Sequence, residues 1–397
     1  MRRSMRLEPI ITLLCLAPPT AAASLQSLRA SRRTVLAGAA SPSLANMRAQ
    51  TANANMLADT SNRAFTFEMQ RIQVGAASVP VAIWQPTSSS AAGAAAASYD
   101  YTINIGRIAK GLRVGWLGWL PESKFALPVG AATPEVLPAE FGRAKPGDAI
   151  MFAHGFLGSP FDMAHACEAL AADGFTCVAP ELPESLSATF AEQAEGLTRD
   201  EILNSARKLA TDSLGTSGRW GIFGHSAGSG SALKQEGDFV LGRALLCPGF
   251  RGYEGKDPLF IVASDGDGCN QFIAKNGVDL RSSLQNDADA GRPTVRFDSA
   301  AELFADVKKA PRRGAYIFAD SATTEGDKTR LPNHISFLWS EVDEAMASLL
   351  SPLVPVAKAL GLFMLDFDVY LEARDAEATA AQVVPALRRF FLTFSRA

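Results

Sequence analysis

The spacing of hydrophobic residues changes along the chain and predicts two kinds of β-structure. Phe65–Met69 and Val79–Trp84 carry large apolar residues at alternate positions on either side of a Gly-containing turn, which predicts an antiparallel hairpin. From Ala149 onward, short apolar runs alternate with helical segments, which indicates a parallel sheet with helices on both faces. The predicted strands of this sheet are Ala149–Ala153, Phe175–Ala179, Trp220–Phe223, Ala244–Cys247, Leu259–Ala263 and Ala315–Phe318.

Two segments between these strands carry signals for a helix N-terminus. Ser159, Pro160 and Asp162 supply an N-cap, a first helical residue and an acid in the first turn, and predict a helix running to about Ala172. Thr198-Arg199-Asp200-Glu201 predicts a second helix that opens with a capping box. The fold class predicted by these patterns is α/β.

Composition and charge fit one enzyme-sized domain at residues 51–397. The chain has 397 residues, of which 47% are hydrophobic and 20% charged. The net charge is −3, but residues 1–50 carry seven Arg and one Glu, so the body of the protein is acidic. An acidic body without a clustered basic face argues against nucleic-acid binding.

Residues 1–50 read as targeting sequence rather than as part of the fold. Arg2, Arg3 and Arg6 precede the short apolar run 10–17 and the small residues 21–23, which predicts a signal peptide at 1–23. Residues 24–50, with Arg32 and Arg33 among Ser and Ala, resemble a plastid transit region that carries a twin-arginine signal. We expect entry through the secretory pathway into a plastid, with the thylakoid lumen as the destination implied by a twin-arginine signal; the alternative is a secreted protein with a pro-segment.

Gly224-His225-Ser226-Ala227-Gly228 has the pattern of a nucleophile elbow. It follows the apolar run Trp220–Phe223 and precedes a helical segment, which is the setting that the motif requires. Ser226 is therefore the candidate nucleophile, and a plain glycine-rich turn is the alternative.

An earlier strand ends in the His-Gly loop His154-Gly155-Phe156-Leu157-Gly158, and together with the elbow this loop resembles the α/β-hydrolase family. The resemblance implies the α/β-hydrolase fold and an oxyanion hole formed by the backbone N–H groups of Phe156 and Ala227. The alternative is a glycine-rich loop that merely closes a strand.

The same resemblance orders the triad as Ser, acid and His along the chain. The four histidines are His154, His165, His225 and His334, and among them His334 alone lies well beyond Ser226, so it is the candidate base. His154 and His225 belong to the two motifs, and His165 falls in the first predicted helix. A loop histidine without a catalytic role is the alternative for His334.

Two aspartates compete for the position of the orienting acid. Asp265 and Asp267 both follow the strand Leu259–Ala263, where a carboxylate could hold the imidazole of the base. In related ester hydrolases the acid is usually the later one of such a pair, which favours Asp267 over Asp265. Asp320, which follows the next strand, is a third candidate.

These residues predict a serine carboxylic ester hydrolase that works through an acyl-enzyme and needs no cofactor. The segments 152–159 and 170–175 are similar to platelet-activating-factor acetylhydrolases and to chlorophyllases. Two positions differ, because Ala227 stands where chlorophyllases usually have Arg, and Cys247 stands near the position of the acetylhydrolase acid. The alternative function is a catalytically silent α/β-hydrolase fold that binds an apolar ligand or a partner.

The segment 99–121 mixes aromatic and aliphatic residues with Arg107, Lys110 and Arg113. This composition suits a membrane-surface contact or a lid over an apolar pocket, and it favours an apolar ester, either a lipid or a chlorophyll-type pigment, as substrate. The alternative is that the segment packs against the core. Cys167, Cys177, Cys247 and Cys269 lack the spacing of a zinc site, so we expect no metal and interpret them as buried thiols.

Overall fold

The computed structural model describes twelve stretches of the chain: residues 64–87, 98–104, 106, 122–130, 137–186, 196–248, 257–264, 267, 295–297, 313–318, 331–351 and 373–396. They belong to one compact unit. The leader at 1–50, Asp265, Asp320, Cys269 and residues 107–121 lie outside the described residues, so the predictions that concern them stay predictions.

Nine strands of the described residues form one sheet in which a single strand runs against the others. The strands are β1 (Phe65–Val74), β2 (Ala77–Pro86), β5 (Ala149–Ala153), β6 (Thr176–Pro180), β7 (Trp220–His225), β8 (Gly242–Leu246), β9 (Leu259–Ser264), β10 (Val295–Phe297) and β11 (Arg313–Phe318). The sheet order is β1-β2-β6-β5-β7-β8-β9-β11-β10. Strand β2 pairs antiparallel with both β1 and β6, and every other pair is parallel. This arrangement is the α/β-hydrolase fold, and it confirms the predicted class.

Helices cover both faces of this sheet. They are α1 (Ala164–Ala172), α2 (Arg199–Ser213), α3 (Ala227–Lys234), α4 (Ser340–Leu350) and α5 (Ala376–Arg396), with short 3₁₀ helices at Ala139–Phe141 and His334–Phe337. Ile150 and Phe152 of β5 join the core cluster that contains α1 and α5 residues, whereas Ala149, Met151 and Ala153 join the cluster that contains α2 and α3 residues. Successive side chains of a strand point to opposite faces, so both faces of the sheet are buried, as the continuous apolar runs predicted.

The N-terminus of α2 agrees with the sequence, but that of α1 does not. Thr198 caps α2, and its side chain and that of Glu201 form the predicted capping box. The prediction that Ser159 caps α1 is wrong, because the helix begins at Ala164 and has no side-chain cap. The carboxylate of Asp162 instead accepts hydrogen bonds from the N–H and the hydroxyl of Ser159, which stabilise a turn in front of the helix.

The beginning of the predicted aromatic insert packs into the core. It forms β3 (Ser98–Asn104), which pairs antiparallel with β4 (Glu122–Pro128) in a separate two-stranded sheet. The side chains of Tyr99 and Tyr101 are fully buried, and the hydroxyl of Tyr99 donates to Glu168 Oε1 over 2.5 Å. The beginning of the segment therefore packs against the core. The lid or membrane-contact interpretation depends on Arg107, Lys110 and Arg113, which lie outside the described residues, and it stays a prediction. None of the described helices combines the length and apolar character needed to cross a membrane.

Candidate active site

Ser226 occupies a strained backbone position at the junction of β7 and α3. Its φ is 57° and its ψ is −121°, a region that non-glycine residues rarely adopt. The turn is held because the N–H of Ser226 donates to Leu246 O over 2.9 Å and its carbonyl accepts from the N–H of Ser229. The serine is partly exposed at the carboxyl edge of the sheet, as expected for a nucleophile elbow.

Glycines around Ser226 permit close contacts that any side chain would prevent. A Cβ atom on Gly224 would lie 2.2 Å from Gly228 O, and one on Gly228 would lie 1.9 Å from Ala153 O. A Cβ atom on Gly155 would lie 3.3 Å from the Cβ of Ser226. The motif therefore allows α3 to start directly against β5, with the 154–158 loop beside the serine.

His334 is paired with one of the two candidate acids. Its Nδ1 atom lies 3.0 Å from Oδ1 and 3.1 Å from Oδ2 of Asp267, whose side chain is completely buried. Asp267 follows β9, and His334 begins a 3₁₀ helix that Asn333 caps through its side chain. A hydrogen bond from Nδ1–H to the carboxylate leaves the lone pair of the imidazole on Nε2, the tautomer that a general base needs.

His225 connects this pair to the elbow. Its Nε2 lies 2.9 Å from His334 O, and because a carbonyl only accepts, Nε2 of His225 carries the proton. The two imidazole rings are 4.8 Å apart between centroids. Burial, assisted by the neighbouring His334, lowers the pKa of His225 to about 3, so this connection stays neutral over the range in which enzymes work.

Cys247 is a neighbour of the pair that the sequence patterns did not reveal. It follows β8, has a φ of 49° and is buried, and its sulfur lies within 4.8 Å of a ring nitrogen of His334. Burial raises the pKa of this thiol well above its ordinary value, and the charge of Asp267 adds to the effect. Cys247 is therefore a neutral partner of the Asp267–His334 pair, and Cys167 and Cys177 are also buried free thiols, as predicted.

One combination of these residues also has the donor types of a metal site. His225, Cys247 and His334 place one ligand atom each within 4.8 Å of the others. Nε2 of His225 and Nδ1 of His334 already take part in the hydrogen bonds described above. The three side chains therefore form a buried cluster around the base in which both histidines are engaged in hydrogen bonds.

The loop after β5 is fixed by the side chain of His154, which is fully buried. Its Nε2 accepts a hydrogen bond from the N–H of Leu182 over 2.9 Å, so its Nδ1 carries the proton and donates to Gly155 O over 2.8 Å. Burial lowers the pKa of His154 to about 3, and the charge of Arg199 lowers it further. The imidazole therefore keeps one neutral tautomer and holds the carbonyl of Gly155.

This loop and the elbow present the two backbone donors expected of an oxyanion hole. Within the described part of the chain, no hydrogen bond uses the N–H of Phe156 or that of Ala227. Phe156 lies in the loop after β5, and Ala227 is the first residue of α3, directly after Ser226. β5 and β7 are adjacent and parallel, with Ala153 paired to Gly224, so both donors lie at the same edge of the sheet.

The structure brings five of the predicted site residues together at the carboxyl edge of the sheet. Ser226, Phe156 and Ala227 lie at the carboxyl ends of β5 and β7, and the Asp267–His334 pair is tied to the elbow through His225. Asp265 and Asp320 lie outside the described residues. His165 lies in α1, the first predicted helix, and its side chain is buried there.

Comparison with known proteins gives similarity at the level of structure. No protein-family model and no curated protein matches the chain. Structural similarity is found with an esterase of Pyrococcus furiosus, at 12% identity and a TM-score of 0.33, covering 65% of this chain and 84% of the esterase.

Two further structures are similar to a comparable degree. A putative dienelactone hydrolase of Klebsiella pneumoniae has 9% identity and a TM-score of 0.34, with 72% of this chain and 98% of that chain covered. An acylaminoacyl peptidase of Pyrococcus horikoshii has 14% identity and a TM-score of 0.35, with 69% of this chain and 41% of that chain covered. At these identities and TM-scores the similarity carries no argument about activity, and the function proposed below rests on the geometry of the site.

Proposed function

We propose that the protein is a serine hydrolase that cleaves carboxylic esters through an acyl-enzyme. The observation that carries this proposal is the combination of a strained, partly exposed Ser226 with a buried Asp267–His334 pair at the same edge of the sheet. Strained backbone is retained where the surrounding structure enforces it, and such positions cluster at active sites. A serine that shares a site with an imidazole base and an orienting carboxylate has the set of groups that activates a hydroxyl as nucleophile.

In this proposal each group has one chemical task. Nε2 of His334 accepts the hydroxyl proton while Oγ of Ser226 attacks the ester carbonyl, and Asp267 stabilises the imidazolium that forms. The oxyanion is bound by the N–H groups of Phe156 and Ala227, which no other hydrogen bond occupies in the described chain. The imidazolium then protonates the departing alcohol, and water, deprotonated by His334, releases the acid.

We further propose an ester with a large apolar part, either a lipid or a chlorophyll-type pigment. Support comes from Phe156, a large apolar residue that is 47% exposed and whose own backbone N–H is one of the two proposed oxyanion donors. An exposed aromatic ring at this position offers apolar contact to an acyl or alcohol chain. The similarity of segments 152–159 and 170–175 to chlorophyllases and to platelet-activating-factor acetylhydrolases points in the same direction.

A panel of substrates tests the reaction class and the substrate class together. The full chain is incubated with p-nitrophenyl butyrate, chlorophyll a, and long-chain and short-acyl phospholipids in detergent micelles, with Ser226→Ala as the matched control. We expect release of nitrophenol together with either chlorophyllide or free fatty acid, and no release by the variant. Turnover of butyrate alone would contradict the apolar substrate class, and no turnover of any ester would contradict the proposed reaction.

A further inference from the structure

The 154–158 loop contains a flexible residue, Gly155, directly before the proposed oxyanion donor Phe156. A side chain at this position would press against Ser226, and a glycine has more backbone freedom than any other residue. Misplacement of a catalytic group by about 1 Å can reduce a rate by about 100-fold. The peptide units on both sides of Gly155 must therefore be held if the N–H of Phe156 is to keep its direction.

The peptide unit after Gly155 is held from within the loop. The carbonyl of Gly155 accepts from Nδ1 of His154 and from the N–H of Gly158, at 2.8 and 3.2 Å. The carbonyl and the N–H of a trans peptide point in opposite directions, so fixing the carbonyl of Gly155 also fixes the N–H of Phe156.

The peptide unit before Gly155 is held from outside the loop, by a residue that belongs to another element. Nη1 of Arg199, the first residue of α2, donates to His154 O over 2.9 Å. The same carbonyl is covered on another side by α3, since a Cβ on Gly228 would lie 2.6 Å from it. Arg199 Nη1 is also 3.4 Å from the hydroxyl oxygen of Ser231 in α3, so the guanidinium lies between the loop and the helix that follows the nucleophile.

Arg199 is itself held in place by a carboxylate. Its Nε lies 3.1 Å from both Oε1 and Oε2 of Glu184, and its side chain is only 14% exposed. A guanidinium is planar and carries its donors in a fixed geometry, so a bond at Nε determines the direction of Nη1. A lysine keeps the charge but offers no such fixed pair of donors.

We propose that Arg199, oriented by Glu184, is a positioning residue that fixes the oxyanion loop against the nucleophile helix through the carbonyl of His154. This inference rests on the proposed ester hydrolysis, because the loop matters for a reaction only if Phe156 donates to an oxyanion. Within the described residues Arg199 forms no hydrogen bond with Ser226 or with the Asp267–His334 pair, so its effect passes through the loop.

The test compares Arg199→Met with a matched arginine of the same helix. Nη1 of Arg207 also donates to a backbone carbonyl, that of Glu236, but this bond lies away from the loop. For Arg199→Met we expect kcat to fall by about 10- to 100-fold with KM changed less than about threefold, because a displaced donor weakens transition-state binding. The affinity for an alkylboronic acid, which reproduces the tetrahedral adduct, should fall with kcat, and Arg207→Met should match the wild type in each measurement.

Two further variants separate positioning from general structural damage. Arg199→Lys should have an intermediate kcat, and Arg199→Met in combination with Glu184→Gln should lose no more than Arg199→Met alone, since Glu184 acts through Arg199. If Arg199→Met does not fold, Arg199→Lys is compared with Arg207→Lys. A wild-type kcat in Arg199→Lys, or a rise in KM at constant kcat in Arg199→Met, would overturn the proposal.

A measurement without substrate distinguishes failure of this inference from failure of the proposed reaction. Amide hydrogen exchange in peptides covering residues 154–158 should be faster in Arg199→Met than in wild type and unchanged in Arg207→Met. Unchanged exchange in Arg199→Met would overturn the positioning role whether or not the enzyme cleaves esters. If exchange is faster in Arg199→Met but the wild-type protein turns over no ester and reacts with no fluorophosphonate, the positioning role of Arg199 stands and the proposed reaction is contradicted.

Discussion

Nδ1 of His334 lies 3.0 Å from Oδ1 of Asp267, although 67 residues separate the two in the chain. Asp267 is buried, so its carboxylate can hold the imidazole without competition from solvent. The bond leaves Nε2 of His334 as the proton acceptor. This tertiary contact is the reason why we propose Asp267 as the acid of the triad, and substitutions at the two competing aspartates test the proposal.

Asp267→Asn should lower kcat by about 10⁴-fold, because an amide favours the wrong imidazole tautomer and cannot stabilise the imidazolium. The measurement is steady-state hydrolysis of p-nitrophenyl butyrate. Asp265→Asn is the matched control, two residues earlier, and should stay within a few-fold of wild type. If Asp265→Asn lowered kcat by about 10⁴-fold while Asp267→Asn stayed within a few-fold of wild type, the acid would be Asp265.

Gly228→Ala and Gly230→Ala should have opposite effects although both lie in α3. A Cβ at Gly228 would meet the carbonyl oxygen of Ala153 at 1.9 Å, whereas a Cβ at Gly230 would have nothing within 4 Å. In urea unfolding, Gly228→Ala should lower the free energy of unfolding by about 3 kcal/mol or more. Gly230→Ala should gain about 0.5 to 1 kcal/mol from helix propensity. Equal effects of the two substitutions would contradict the close approach of α3 to β5.

Because the ring of Phe156 is exposed beside the proposed site, we expect the effect of its removal on kcat/KM to depend on the length of the acyl chain. Removing about 50 Å² of apolar contact costs about 1.3 kcal/mol, so Phe156→Ser should lower kcat/KM for an octanoate ester about 10-fold. The effect on the corresponding acetate should be below about threefold, since a short acyl group has little apolar area to lose.

Val240→Ser provides the control for this prediction. Val240 is a similarly exposed apolar residue, but it precedes β8 and so lies at the opposite edge of the parallel sheet. It should leave the ratio of octanoate to acetate turnover unchanged. An equal loss on both esters in Phe156→Ser would argue against contact between this ring and the acyl chain.

Because His165 is buried without a hydrogen-bond partner in the described chain, we expect its replacement to increase folding stability in a pH-dependent way. The residue is buried in α1, neither ring nitrogen has a hydrogen-bond partner in the described chain, and burial lowers its pKa to about 4. The unfolded chain binds a proton near the ordinary pKa of 6.5 and the folded chain does not, so folding stability is lost as pH falls from 6.5 towards 4.

His165→Leu removes this penalty without breaking a hydrogen bond. The variant should therefore gain stability over the wild type, and the gain in the free energy of unfolding should be about 2 kcal/mol larger at pH 5 than at pH 8. Urea unfolding at both pH values measures the difference, and protonation of His154 and His225 cancels because both proteins contain them. The same difference at pH 5 and pH 8 would contradict the buried, neutral state of His165.

The sequence predicted those parts of the site that depend on local patterns. The elbow around Ser226 is recognisable because its glycines, its strand and its helix are contiguous, and the apolar run of β5 coincides with the structure. The prediction for the start of α1 was wrong because the side chain of Asp162 accepts a hydrogen bond from Ser159 within a turn, and the helix begins only at Ala164.

Other parts could not be predicted because they depend on contacts between distant segments. The choice of Asp267 rested on resemblance, and its pairing with His334 is visible only in the fold. The contact of Cys247 with this pair and the bond from Arg199 to the oxyanion loop have no sequence signature, since Arg199 reads simply as the first residue of a capped helix.

Reaction with a fluorophosphonate tests the central claim, that Ser226 is a nucleophile activated by His334. The full chain is incubated with the probe, and the mass and position of the adduct are determined by mass spectrometry of the intact protein and its peptides. We expect one phosphonyl group on Ser226 in the wild type, none in Ser226→Ala, and strongly slowed labelling in His334→Ala because the serine loses its base. An unlabelled wild-type protein, or an adduct that persists unchanged in Ser226→Ala, would contradict the claim.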